Sequence, residues 1–232
     1  RVHHEQHRAN DAVLQSPAGD QGFPGNLCLS VTYSIRDDWA FVIEYKAIAD
    51  QDTLLNVTNH CYFNLNGQGN GTILDHMLLL FAMEYMPLRG SDSIPDGSVQ
   101  NVLSTAFDFT SPKKIGQDIM HDEKQIYFGN GYNHNYRLAD AKGAVKTAAK
   151  VECAKSGIGM EVRTDMPGIQ FYTGNELCNE PGKGGAIYGS RSGFALETQF
   201  VPNSINNPNA LSCILREGIC WQSKTLYRFY RV

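Results

Sequence analysis

Residues 27 to 47 alternate apolar and smaller or polar side chains with a period of two. Leu27, Leu29, Val31, Tyr33 and Ile35 form one run, and Phe41, Ile43, Tyr45 and Ala47 resume it after Asp37 and Asp38. That period places every second side chain on one face of a strand, so the pair reads as an antiparallel hairpin with polar residues at its tip. Further β-like runs fall at 54–58, 77–83, 145–153, 159–164, 169–173 and 225–232. Turn clusters rich in Gly, Pro and Asn separate them at 66–71, 95–97, 180–185 and 202–209. Many short strands punctuated in this way predict an all-β, mostly antiparallel sandwich or barrel rather than alternating βαβ units. No long segment sustains a helical period, and a short helix is expected around 115–120.

The chain has 232 residues, a common length for one all-β domain, and no repeat, low-complexity tract or linker suggests a cut within 1–232. Twenty Lys and Arg against 24 Asp and Glu leave a net charge of −4, with no basic run to face a phosphate backbone, so no nucleic-acid partner is expected. No apolar stretch approaches the roughly 18–20 residues that a membrane-crossing helix needs, so no membrane partner is expected either. Cys28, Cys61, Cys153, Cys178, Cys213 and Cys220 are scattered without a C-x-x-C pair, which argues against a zinc site. They are expected to be reduced and mostly buried thiols of a cytoplasmic protein, with a secreted one the alternative.

Several apparent motifs carry no chemistry. His3, His4 and His7 do not form the H-E-x-x-H spacing of a metalloprotease, and terminal histidines are usually solvated. Gly67, Gly69 and Gly71 lack the third glycine of G-x-G-x-x-G and no helix follows. Arg191 stands where a G-x-S-x-G elbow has its serine. No metal site is expected from these motifs.

Four polar clusters are more informative. In 56–65, His60 lies among Asn56, Thr58, Asn59, Asn64 and the aromatics Tyr62 and Phe63, in a strand-like setting. Two uses fit that composition: a buried strand that satisfies its own amides, or a concave sugar site with amides for hydroxyls and rings for apolar sugar faces. Residues 131–136 and 168–175 have the same polar and aromatic character. In 193–199, Glu197 is a carboxylate in an otherwise apolar strand, where desolvation raises a pKa unless hydrogen bonds oppose it.

Taken in order, these segments resemble the galactose mutarotase (aldose 1-epimerase) family over essentially the whole chain. Residues 16–26 are similar to its S-P-D-G-x-x-G-F-P-G-N segment, and 58–65 to T-N-H-x-Y-F-N-L. Residues 168–175 are similar to G-V-Q-F-Y-T-G-N, and 196–208 to L-E-T-Q followed by a Pro- and Asn-rich loop. The resemblance implies a β-supersandwich, a cleft for a free hexose such as galactose or glucose, and no cofactor. It implies His60 as general acid and Glu197 as general base, with His60, Cys61, Tyr62, Asn133, Gln170 and Glu197 in contact with sugar.

The acid/base pair also has an independent rationale. Ring opening needs one group to take the proton from the O1 hydroxyl while another donates to O5, and an imidazole titrating at about 6.5 paired with a carboxylate suits both tasks.

Two departures from the family pattern stand out. Asn133 occupies a position that is usually aspartate, which replaces a charge-assisted hydrogen bond by a neutral one. The chain also begins inside the pattern, without the Asn-Arg and H-L-H-G-G segments. Missing N-terminal strands are therefore expected, with self-association through exposed strand edges. The alternative function is a catalytically weak sugar-binding or sugar-sensing relative. A glycoside hydrolase would need a second spaced carboxylate, and a phosphosugar enzyme an Arg/Lys cluster; neither is evident.

Overall fold

The computed structural model describes residues 8–139, 143–208 and 210–232; His3, His4 and His7 lie outside them. In chain order the first strands are β1 (Arg8–Ser16), β2 (Leu27–Ile35), β3 (Ala40–Ala49) and β4 (Thr53–Leu54). Next come β5 (Met77–Leu80), β6 (Glu84–Met86), β7 (Gln100–Asn101) and β8 (Lys113–Lys114), followed by the helix α1 (Lys124–Gly129). The chain continues through β9 (Asn133–Arg137), β10 (Lys146–Cys153), β11 (Ile158–Thr164) and β12 (Gly168–Tyr172). It closes with β13 (Glu180–Pro181), β14 (Ile187–Tyr188), β15 (Ala195–Gln199), β16 (Ile214–Leu215) and β17 (Trp221–Arg231).

Two antiparallel sheets carry the architecture. The larger runs β1, β2, β3, β17, β11, β10, β5, β8, and the smaller runs β15, β12, β9, β6, β7. Its hairpin is the one expected from the alternation: β2 and β3 pair from Leu27 opposite Ala49 to Ile35 opposite Phe41, with Asp37 and Asp38 in the turn. Ile43 and Tyr45 of β3, Val151 of β10, Val162 of β11 and Tyr227 of β17 turn inward from the large sheet. They share one buried cluster with Tyr85, Tyr136, Ile169, Phe171 and Leu196 of the small sheet, so the core lies between the two, as in a sandwich. Among the described residues nothing pairs with the outer side of β1, whose Val13 and Leu14 are exposed.

Three expectations need correction. Residues 115–120 are not helical. Ile115 N–H donates to His76 O and Gly116 N–H to Leu74 O, and a Cβ on Gly116 would meet Leu74 Cβ at 2.9 Å, so this backbone is spent pairing with a neighbouring segment. The helix forms instead at Lys124–Gly129, where Asn130 closes it with φ of 50°. Residues 56–65 are not a strand: only Thr53–Leu54 pair as β4, and Phe63 makes one isolated bridge with Phe194. The cysteines are all free, but only Cys153 and Cys213 are buried, while Cys61, Cys178 and Cys220 are exposed.

Candidate active site

The small sheet explains how residues far apart in the chain come to face one another. On β12, Gln170 lies opposite Glu197 of β15 on one side and Asn135 of β9 on the other. Two residues on, Tyr172 lies opposite Ala195 and Asn133. Paired residues and their i±2 neighbours share a face, so Asn133, Asn135, Gln170, Tyr172 and Glu197 project together. The intervening Phe171, Leu196 and His134 turn into the core.

His60 reaches this face from outside the sheet. Its Nε2 stands 3.4 Å from Glu197 Oε1, the imidazole side chain half-exposed and the carboxylate largely buried. The Tyr62 and Tyr172 rings lie 5.0 and 5.8 Å from the imidazole and 6.2 Å from each other. Burial pushes the Glu197 carboxyl above its ordinary range, and the neighbouring His60 opposes that rise. Burial likewise raises the Tyr62 and Tyr172 hydroxyls.

The amides on the same face form a short chain. Gln170 Nε2 donates to Asn133 Oδ1 at 2.8 Å, and Asn133 Nδ2 donates to Ser93 Oγ at 3.1 Å. Gln170 Oε1 and both amide atoms of Asn135 are buried without a hydrogen-bond partner among the described residues. Gly168 leaves room beside them: a Cβ there would come within 2.7 Å of Asn135 Oδ1 and 3.1 Å of Gln199 O. A groove of about 920 Å³ opens at Asn133 and Ser93 and runs past α1, with Tyr127, Glu176 and Arg191 in its walls; His60 and Glu197 are not among them. Its size falls in the usual range for small-molecule sites.

Five of the six residues implicated in sugar contact therefore gather on or over one sheet face. Cys61 differs: its free thiol is exposed. Tyr172 and Asn135 belong to the face but were not singled out by their sequence motifs. Their spacing of two from Gln170 and Asn133 is the signal that finds them, because i and i+2 share a face of a strand. Among the described residues, no group of three or more His, Cys, Asp or Glu side chains is arranged to hold a metal ion.

Comparison with known proteins gives the family. The family model described as aldose 1-epimerase matches residues 2–228. The chain belongs to the aldose 1-epimerase family. It is 42% identical over 215 residues to galactose mutarotase of Mus musculus, covering 92% of this chain and 60% of that protein. It is 38% identical over 219 residues to aldose 1-epimerase of Escherichia coli K12, covering 94% and 62%. The chain thus spans about 60% of the length of the curated relatives it matches. Among solved structures, galactose 1-epimerase from Lactobacillus acidophilus superposes with a TM-score of 0.85 at 27% identity, covering all of this chain and 65% of that one. An aldose epimerase homologue from C. elegans gives 0.86 at 27% identity, covering all of this chain and 68% of the other. The two-sheet architecture of this family member is thus that of the galactose mutarotase-like fold.

Proposed function

We propose that this member of the aldose 1-epimerase family interconverts the α and β anomers of a free hexose, galactose or glucose, with Glu197 as general base and His60 as general acid. The observation that carries the reading is the 3.4 Å approach of His60 Nε2 to Glu197 Oε1 over a face of amides and tyrosines. O1 and O5 of a pyranose are both bonded to C1, so an acid and a base serving them must stand side by side. Glu197 takes the O1 proton as the C1–O1 bond becomes a carbonyl. The C1–O5 bond breaks, and His60 delivers a proton to O5. The open aldehyde rotates about C1–C2 and O5 attacks the other face, the two groups returning their protons in reverse.

A carboxyl raised by burial suits the base, because catalysis is best when the pKa lies near the working pH. In the same reading Tyr62 and Tyr172 pack on apolar faces of the ring, and the amides of Gln170 and Asn133 receive its hydroxyls. Relatives named galactose mutarotase and aldose 1-epimerase support the substrate class.

Polarimetry on freshly dissolved α-galactose and α-glucose tests it. Glu197→Gln and His60→Ala are each expected to lower the catalysed rate by roughly 10²–10⁴-fold with unchanged circular dichroism. Parental rates in both variants would overturn the assignment. Sugar binding by calorimetry, with mutarotation by the parent no faster than buffer, would leave a sugar-binding relative in its place.

A further inference from the structure

β15 is the last strand of the small sheet, and its outer edge is closed in an unusual way. The carbonyls of residues 194, 196, 198 and 200 each receive a different donor. Phe63 N–H donates to Phe194 O at 2.8 Å, and the Tyr227 hydroxyl to Leu196 O at 2.8 Å. Thr58 Oγ1 donates to Thr198 O at 3.1 Å, and Asn56 Nδ2 to Phe200 O at 3.1 Å. Residues 56–63 therefore run beside β15, held mostly by side chains, and His60 sits in the middle of that run.

Its immediate neighbour Asn59 does not bond β15 directly. Asn59 Nδ2 donates to the Tyr227 oxygen at 3.0 Å, and that same hydroxyl donates to Leu196 O. Tyr227 is fully buried on β17 of the other sheet, its ring 5.0 Å from Phe63 and 6.4 Å from Phe41. One phenol thus ties together the residue before His60, the residue before Glu197 and the opposite sheet.

We infer that Tyr227 is a positioning residue: through Asn59 its hydroxyl sets the distance between His60 and Glu197, so that it governs turnover without touching substrate. The inference rests on the acid/base reading above. A hydrogen-bonded bridge of this kind acts on both partners at once. Removing it frees Asn59 and His60 to move relative to β15 while Thr58 and Phe63 stay bonded to that strand and the aromatic packing stays in place.

The test compares the parent 232-residue chain with Tyr227→Phe, Asn59→Ala and the double variant. As a control, Tyr136→Phe removes another buried hydroxyl, which donates to Phe107 O at 3.2 Å away from this segment. Each single variant at the bridge is expected to lower kcat roughly 10–100-fold, the scale of an ångström misplacement, with KM within about twofold. The double variant should be no slower than the slower single, because both remove one bridge. Tyr136→Phe should lower the melting temperature yet keep the parental kcat. Parental kcat in Tyr227→Phe, or losses that multiply in the double variant, would overturn the inference; should Tyr227→Phe fail to fold, Asn59→Ala carries the same comparison.

If the parent itself shows no catalysis, the functional reading fails, and positioning is still read from the His60 imidazole resonance by NMR. That resonance should move alike in Tyr227→Phe and Asn59→Ala and stay fixed in Tyr136→Phe. An unmoved resonance would sink the positioning role by itself.

Discussion

The β2–β3 hairpin and the 56–63 segment both lie beside a strand, but they are attached by different chemistry. In the hairpin, nine consecutive residue pairs from Leu27/Ala49 to Ile35/Phe41 stand opposite one another in an antiparallel backbone ladder. Along β15 only Phe63 pairs backbone to backbone, while Asn56, Thr58 and Tyr227 supply the other donors from side chains. A backbone ladder holds strands about 4.8 Å apart and dictates which face each side chain takes. Side-chain clips add their own length, so the segment stands off from the sheet and its remaining residues are released from strict alternation. That freedom lets His60 lean over the face where Glu197 projects, at the expense of the cooperative pairing that makes a hairpin rigid.

Acid should separate the two regions most strongly. His76 Nε2 accepts the Leu65 N–H at 2.9 Å and His134 Nδ1 accepts the Asn133 N–H at 3.1 Å, so both rings serve as neutral acceptors of backbone donors. Burial pushes His76 down to about 4 and His134 down to about 3. With folded values below the ordinary 6.5, the unfolded chain takes up these protons first as pH falls. The stability they contribute is complete above about pH 6.5 and drains as pH drops towards 4 and then 3. At about 1.4 kcal/mol per unit, the loss by pH 4 is on the order of several kcal/mol. Hydrogen exchange should show the Leu65 and Asn133 amides losing protection near pH 4 before Ile43 in the hairpin, which contains no histidine. Equal loss at all three sites would mean the regions share one stability.

Substitution gives the next largest contrast. Ile43→Ala empties a fully buried position in the ladder and is expected to cost about 2–5 kcal/mol in urea unfolding, with the mutarotation rate per folded molecule unchanged. Asn56→Ala removes an amide that clips both backbone groups of Phe200, at 2.9 Å to its N–H and 3.1 Å to its carbonyl. The expected cost is only about 1 kcal/mol, but the catalysed rate per folded molecule should fall. A rate loss in Ile43→Ala, or a parental rate in Asn56→Ala, would break the contrast.

The same difference in chemistry explains what was legible beforehand. The hairpin, and the strands at 145–153, 159–164 and 169–173, could be read because each residue's own hydrophobicity reports its face. The amides of 56–65 suggested a sugar site or a self-satisfied strand. In fact Asn56, Asn59 and Asn64 serve structure, bonding Phe200, Tyr227, and the Gly71 and Ser192 carbonyls, while His60 and Tyr62 go to the site. Those partners lie up to 168 residues away, beyond any local pattern. The misplaced helix at 115–120 failed for the same reason, since Ile115 and Ile119 have helical spacing but Gly116 is committed to Leu74. The pairing of His60 with Glu197 was expected only through the family resemblance; no periodicity in either segment points to the other.

Asn133 offers the smallest and most discriminating test of the site face. Its Oδ1 accepts from Gln170 and its Nδ2 donates to Ser93. In Asn133→Asp the first bond becomes charge-assisted, and the second survives by reversal, because the serine hydroxyl can donate to a carboxylate. The exchange therefore leaves no further buried group unpaired and should change melting temperature little. A carboxylate also accepts more strongly from a sugar hydroxyl, by an increment of about 1 kcal/mol, so galactose should bind roughly 3–10-fold more tightly by calorimetry. Because the side chain lies on the sheet face and the proposed mechanism assigns it no proton transfer, kcat should hold while KM falls. A change confined to kcat would place Asn133 with the His60 region instead, and unchanged affinity would remove it from the sugar's contacts altogether.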